Sequence, residues 1–107
     1  MRVEELLRLE TFAAQVGTEF AVRRGSEWVM VKLAEAIAGR RHQPGRAEVF
    51  SLLFYAGPER PLQQGIHDFD HPVLGAFELF ITPVLPKTDA AFPRSSRFYE
   101  AVINRET

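Results

Sequence analysis

Residues 48–55 read Glu-Val-Phe-Ser-Leu-Leu-Phe-Tyr, a run without glycine or proline in which nearly every position is apolar or aromatic. Side chains of a strand alternate between its two faces, so Phe50, Leu52 and Phe54 share one face and Val49, Leu53 and Tyr55 the other. Both faces of this segment need cover. A single open sheet with one wet face does not supply it, and the segment calls for a helix, a second sheet in a sandwich or barrel, or a partner subunit.

The segments around it carry the same period of two. Phe20 and Val22 alternate with Glu19, Ala21 and Arg23, and a turn at Arg24-Gly25-Ser26 leads into residues 27–37. There Val29, Val31, Leu33 and Ile37 oppose Trp28, Met30, Lys32, Ala34 and Ala36, which favours a long strand despite the alanines. Residues 39–46 form a polar loop. After a turn at Gly57-Pro58-Glu59-Arg60-Pro61, residues 62–71 place His67, Phe69 and His71 on one face and Ile66, Asp68 and Asp70 on the other. His71-Pro72-Val73-Leu74-Gly75 has the chemistry of a tight hairpin connection: Pro72 fixes φ early in the turn and Gly75 supplies a positive φ at its end. Phe77, Leu79 and Ile81 give the following strand, 76–84, its apolar face, and Pro83 places that end at an edge or bulge. Residues 86–97 are the longest irregular stretch, and 98–104 form the last strand.

Only the N-terminus departs from this period. Val3, Leu6, Leu9, Ala13 and Val16 recur at three- and four-residue steps up to a stop at Gly17, the stripe of an amphipathic helix over about residues 3–16, with a break near Arg8 to Thr11 as the alternative. The expected fold is mainly β (α+β by strict count). It comprises about six antiparallel strands in a sandwich or partly closed barrel, with one N-terminal helix, in a single domain over 1–107. Nine Phe in 107 residues supply a packed interior that needs no disulfide or metal to hold it.

Several function classes are excluded at this level. The chain has no cysteine, which removes disulfides, thiolate nucleophiles and cysteine-ligated metals. A net charge of −1 generates no field that would draw the whole molecule onto nucleic acid or an anionic membrane. Acidic residues near the N-terminus break any signal-peptide core and no long apolar run occurs, so a cytoplasmic protein without a membrane span is expected. Dinucleotide and Walker glycine loops are absent, and Ser51 lies between Phe50 and Leu52 instead of at a glycine-flanked elbow.

The remaining candidates are few. His67 and His71 would pair on a helix, but on a strand they stand roughly 13 Å apart and cannot share a metal; His67 packing on the sheet and His71 bonding the turn are the expected roles. Asp68 and Asp70 share a face about 6–7 Å apart, a spacing open to acid–base chemistry or to a hard cation. Arg40, Arg41 and Arg46, with His42 and with Arg23 and Arg24 elsewhere, form a basic patch that lacks interleaved aromatics, so a solvated loop is expected and nucleic-acid binding is not. Trp28 and Tyr55 are expected in the core, or at an interface if they face outward. No catalytic, cofactor or metal residue is assigned.

Leu9-Glu10-Thr11-Phe12, Val16-Gly17-Thr18-Glu19-Phe20, Phe50-Ser51-Leu52-Leu53-Phe54, Gln64-Gly65, the His71–Gly75 turn, Glu78-Leu79-Phe80 and Tyr99-Glu100-Ala101-Val102-Ile103-Asn104 together resemble an uncharacterised family of small bacterial domains of about this length. The resemblance departs at His67, where Tyr is expected, and in the Arg41-His42-Gln43 loop. It implies no activity, and it links such domains to phage-tail-like assemblies. The expected function is therefore a non-enzymatic protein-interaction or structural module. A homo-oligomer, with a dimer favoured, or another protein is the expected partner, through a surface that includes Phe54 or Tyr55, and no cofactor is implied. The alternative is a small-ligand- or carbohydrate-handling barrel, hydrolytic in one version, that uses Asp68, Asp70 and His71.

Overall fold

A computed structural model describes residues 7–85, 92–93 and 95–106. A five-residue helix, α1 (Leu9–Ala13), precedes six strands: β1 (Glu19–Arg24), β2 (Glu27–Ala38), β3 (Ala47–Ala56), β4 (Gly65–His71), β5 (Gly75–Val84) and β6 (Arg97–Glu106). All neighbours are antiparallel. They close into a barrel in the order β1-β2-β3-β6-β5-β4, with β4 returning to β1. Closure gives every strand a paired neighbour on each side, the arrangement by which a small all-β domain limits its edges, although the β1–β4 and β5–β6 seams are short, with two and three residue pairs.

Two strands make the corners. β2 pairs with β1 up to Lys32 and with β3 from Lys32 onward. β5 pairs with β4 through Ile81 and with β6 only from Thr82 to Val84. Each corner strand therefore belongs to two sheet segments, as strands that turn from one layer into another do. Pro83 stands opposite Tyr99 at the second corner, where a residue without an N–H interrupts little of the ladder.

The corner in β2 also corrects one expected face. The register jumps from Leu33↔Phe54 to Glu35↔Leu53, so Ala34 is an extra residue in a bulge. Beyond it the parity reverses: Ala36 turns toward the core and Ile37 becomes 52% exposed, where unbroken alternation had grouped it with Val29, Val31 and Leu33.

The interior is filled by side chains. Phe20, Phe54 and Phe69 pack mid-barrel, with Phe20 and Phe54 ring centroids 5.3 Å apart edge to face. Phe12, carried by α1, enters one mouth and meets Phe20, Phe50 and Phe77 at 5.8–6.4 Å. The other end is closed by Leu62, which is buried although it precedes β4 and is not part of it; its N–H donates to the buried Tyr99 hydroxyl at 3.0 Å.

The helix is shorter than the 3–16 periodicity suggests. Residues 14–17 are turns, and residues 1–6 lie outside those described. A segment of this length is marginal as a helix by itself, and α1 is held by packing and by a borrowed cap. Arg8, its N-cap residue, offers no side-chain hydrogen bond. Glu48 of β3 takes that role, accepting the Leu9 N–H at 2.8 Å and the Gly45 N–H at 3.0 Å.

Candidate functional site on the barrel wall

With the interior packed, the polar candidates of the sequence are sought on the outside of the wall. Asp68 and Asp70 are there, exposed on the outer face of β4 as alternation requires. Their surroundings separate them. Asp68 lies opposite Glu78 in the ladder and lines a trough of about 570 Å³ with Arg23, Arg24, His67 and Glu78. Asp70 lies opposite Ala21 and Ala76 and lines a second, more apolar cleft of about 560 Å³ with Met30, His71 and Val73. The two carboxylates thus look into different depressions and do not converge on one reacting centre. Among the described residues, no group of three or more His, Asp or Glu side chains is placed to hold a metal ion.

Both histidines of β4 are occupied by structural bonds. The His67 ring places Nε2 2.7 Å from the Gln63 carbonyl and Nδ1 3.2 Å from the Arg23 carbonyl; both partners are acceptors, so a neutral ring, with its single N–H, donates to one of them according to its tautomer. His71 is 4% exposed. Its Nδ1 accepts the N–H groups of Val73 and Leu74 at 3.0 and 3.2 Å, which assigns the proton to Nε2. Nε2–H then donates to Thr18 Oγ1 at 2.9 Å, and the Thr18 hydroxyl donates to the Gln15 carbonyl at 2.7 Å. One imidazole thereby ties the β4–β5 turn to the α1–β1 connection. Burial holds its pKa below the ordinary histidine value, against an opposing pull from Asp70. The turn itself ends at Gly75, whose φ of +80° is the conformation expected of that position.

Glu48 is the buried carboxylate that residue-by-residue reading passed over. Burial alone would raise its pKa. The N–H groups of Gly45 and Leu9, aided by the charges of His42 and Arg8, outweigh burial and hold it below the ordinary carboxylate value. The signal was parity: Glu48 is in step with Phe50, Leu52 and Phe54, so a strand beginning at Ala47 turns it inward.

The basic patch is confined to the β2–β3 loop. His42 is structural there, its Nδ1 accepting the Val49 N–H at 3.1 Å. Arg40, Arg41 and Arg46 are exposed on the loop. Arg23 and Arg24, on the β1–β2 hairpin, bond instead to the carbonyls of Gly25 and Pro61.

The outer face of β3 divides in two. Toward its C-terminal end Tyr55 is covered by the chain's own Phe92 and Phe98, with ring centroids 4.9–6.0 Å apart. Phe54 points the other way and is 1% exposed in the core, so of the two proposed contact residues only Tyr55 lies outside. Toward the middle the cover ends. Ser51 stands between Ile37 on β2 and Val102 on β6, with Val49 and Leu53 before and after it on the same face. Val102 is 68% exposed. The result is an apolar island across three strands, bordered by Glu100 and Asn104 on β6 and by the arginine loop beyond Val49. Trp28 and Met30 are also on the outside, on the β1 side of β2, where Trp28 had been expected in the core.

A closed barrel of six antiparallel strands with a core filled by side chains and one short N-terminal helix defines the class: a small, mainly β barrel domain. Within that class, the chain belongs to the family described as Domain of unknown function (DUF6916), whose model matches residues 7–103. Comparison with the curated proteins and with the solved structures returned no significant match.

Proposed function

We propose that the protein is a non-enzymatic interaction module that binds another protein surface through the outer face of β2, β3 and β6. The observation that carries this reading is the apolar island of Ile37, Val49, Leu53 and Val102 around Ser51. Apolar side chains at the centre of a sheet, ringed by polar and charged ones, have the make-up of an interface core and rim. An accessory role in a phage-tail-like assembly in a bacterial cytoplasm is the setting the sequence resemblance supports, and a cysteine-free chain suits a reducing compartment.

Affinity capture from host lysate tests the reading, with Val102→Glu as the control. Specific partners or additional copies of the chain, retained by the wild type and lost by the variant, are the expected result. Equal capture by both proteins would overturn it.

A second reading rests on the trough lined by Arg23, Arg24, His67, Asp68 and Glu78: charges of both signs around about 570 Å³ suit a small polar ligand such as a sugar or a zwitterion. A ligand-induced melting shift abolished by Asp68→Asn would support it, and no shift across a sugar and amino-acid panel would end it.

A further inference from the structure

We infer that the occupant of the β2–β3–β6 face is a second copy of this chain, packed face to face with its strands reversed. The inference rests on the interaction reading above and adds the partner and its orientation.

Three features of the face lead there. The first is its pattern along the strands. Arg40 and Arg41 are on the loop at one end of the β2–β3 hairpin. Glu100, on β6 opposite Leu53, lies toward the other end, and Ile37, Ser51 and Val102 form the row between. A two-fold axis running between the faces and perpendicular to the strands, level with Ser51, sets that middle row against its own copy. It also turns the arginine loop of each protomer toward the Glu100 end of the other. Parallel stacking would set arginines over arginines. An isologous contact needs such a self-complementary surface, apolar at the centre and opposite in sign at its two ends.

The second feature is size. Seven residues of β3, up to the part that Phe92 covers, at ~3.3 Å each and three strands ~4.8 Å apart give a free face of roughly 330 Å². Two such faces would bury about 670 Å² in total before the flanking loops are added, the size of a weak contact that assembles only with rising concentration.

The third is what covers the rest of this face; elsewhere on the wall Ile66, Phe80, Trp28 and Met30 are exposed. Tyr55 and Phe98 further along this same face are already roofed by Phe92, and the opposite side of β3 is the barrel core. Among the described residues nothing covers the central stretch, where a sheet from another copy can lie at the usual ~10 Å spacing of packed sheets.

Sedimentation and light scattering of the full chain from about 1 to 200 µM test this. A concentration-dependent mass of about 24 kDa is expected, against 12.2 kDa for one chain. Val102→Glu, a change on an exposed position, should return the mass to that of one chain without changing the melting profile of the monomer. Arg40→Glu with Arg41→Glu should raise the dissociation constant about tenfold or more at low salt, and adding Glu100→Arg should restore most of the loss. A wild type that stays monomeric throughout overturns the inference, as does a dimer indifferent to Val102→Glu. Failure of Glu100→Arg to rescue overturns the reversed orientation. If the chain is monomeric yet lysate capture still depends on Val102, the interaction reading stands and only the second-copy assignment falls; if Val102→Glu changes neither mass nor capture, both fall.

Discussion

At the scale of single residues, His71 and Glu48 show how an ionisable group becomes part of a fold. His71 stays neutral in the folded chain because its Nδ1 already accepts two N–H bonds and the ring is buried against Phe20 at 4.3 Å. Its pKa is depressed relative to the unfolded chain. Above the ordinary histidine value of ~6.5 both states are neutral and the group is silent. As pH falls below that value, the unfolded chain binds a proton that the folded chain refuses, so stability declines with acidification. The melting temperature should therefore drop between pH 7 and pH 5. His71→Asn keeps an acceptor for the turn N–H groups, and it should melt lower at pH 7 but show a smaller drop. An identical drop in both proteins would remove His71 as the cause. Glu48 acts in a separate window. Its pKa is also depressed, so its contribution is present above the ordinary carboxylate value and is lost as pH falls through its lower folded value. Glu48→Gln removes the charge that two backbone donors share, and it should cost about 1–3 kcal/mol in chemical denaturation at pH 7. A loss below a few tenths would mean that the cap contributes little.

At the scale of elements, α1 and the β2–β3 hairpin depend on neighbours distant in sequence. Five helical residues do not stand alone in water, and Phe12 is what fastens α1 to the barrel mouth. Phe12→Ala should lower stability by about 3–5 kcal/mol, with most of the cavity left at the mouth; urea denaturation measures it, and a cost under 1 kcal/mol would show that the plug is dispensable. The hairpin has its own tight point at Gly39, where an added Cβ would come within 2.9 Å of Val49 Cγ1 and 3.2 Å of the Val49 carbonyl oxygen. Because the Gly39 N–H also bonds that carbonyl at 2.8 Å, the strands cannot part without losing the bond. Gly39→Ala should cost about 1–3 kcal/mol of overpacking, read as a clear fall in melting temperature. The strands themselves were legible: four follow from period-two alternation, β3 from its apolar run, and β6 was placed as the segment after the last irregular stretch. The bulge at Ala34 was not, because an inserted residue shows in sequence only as two alternating patterns of opposite parity, and the alanines around it contrast too little to reveal the switch.

At the scale of the whole molecule, inside and outside are set by closure. Phe54 and Tyr55 are adjacent, equally aromatic and on opposite faces, and sequence alone proposed either as an interface residue. Closure sends Phe54 to a core position with 1% exposure. Phe54→Glu should therefore abolish cooperative unfolding, whereas Val102→Glu on the outer wall should leave it intact. Heat denaturation of the two variants side by side separates them, and a folded Phe54→Glu would contradict the barrel. The candidate sites divide in the same way. Asp68 and Asp70 were correctly assigned to one face, but which groove each lines depends on what β1 and β5 place beside them, and that is a matter of register between strands far apart in the chain.

Alternation and turn chemistry are local properties, which is why the sequence by itself determined the six strands, the faces of β1, β4, β5 and of β2 up to its bulge, and the tight turn from His71 to Gly75. It also determined that residues 48–55 need cover on both sides. Only the tertiary structure decided how that cover is provided: the inner face by closure around the phenylalanines, the outer face in part by Phe92, with the stretch around Ser51 left open. The physical reason is that alternation specifies which side chains share a face, while what lies opposite a face is set by pairings between distant segments, and those leave no pattern within any one of them.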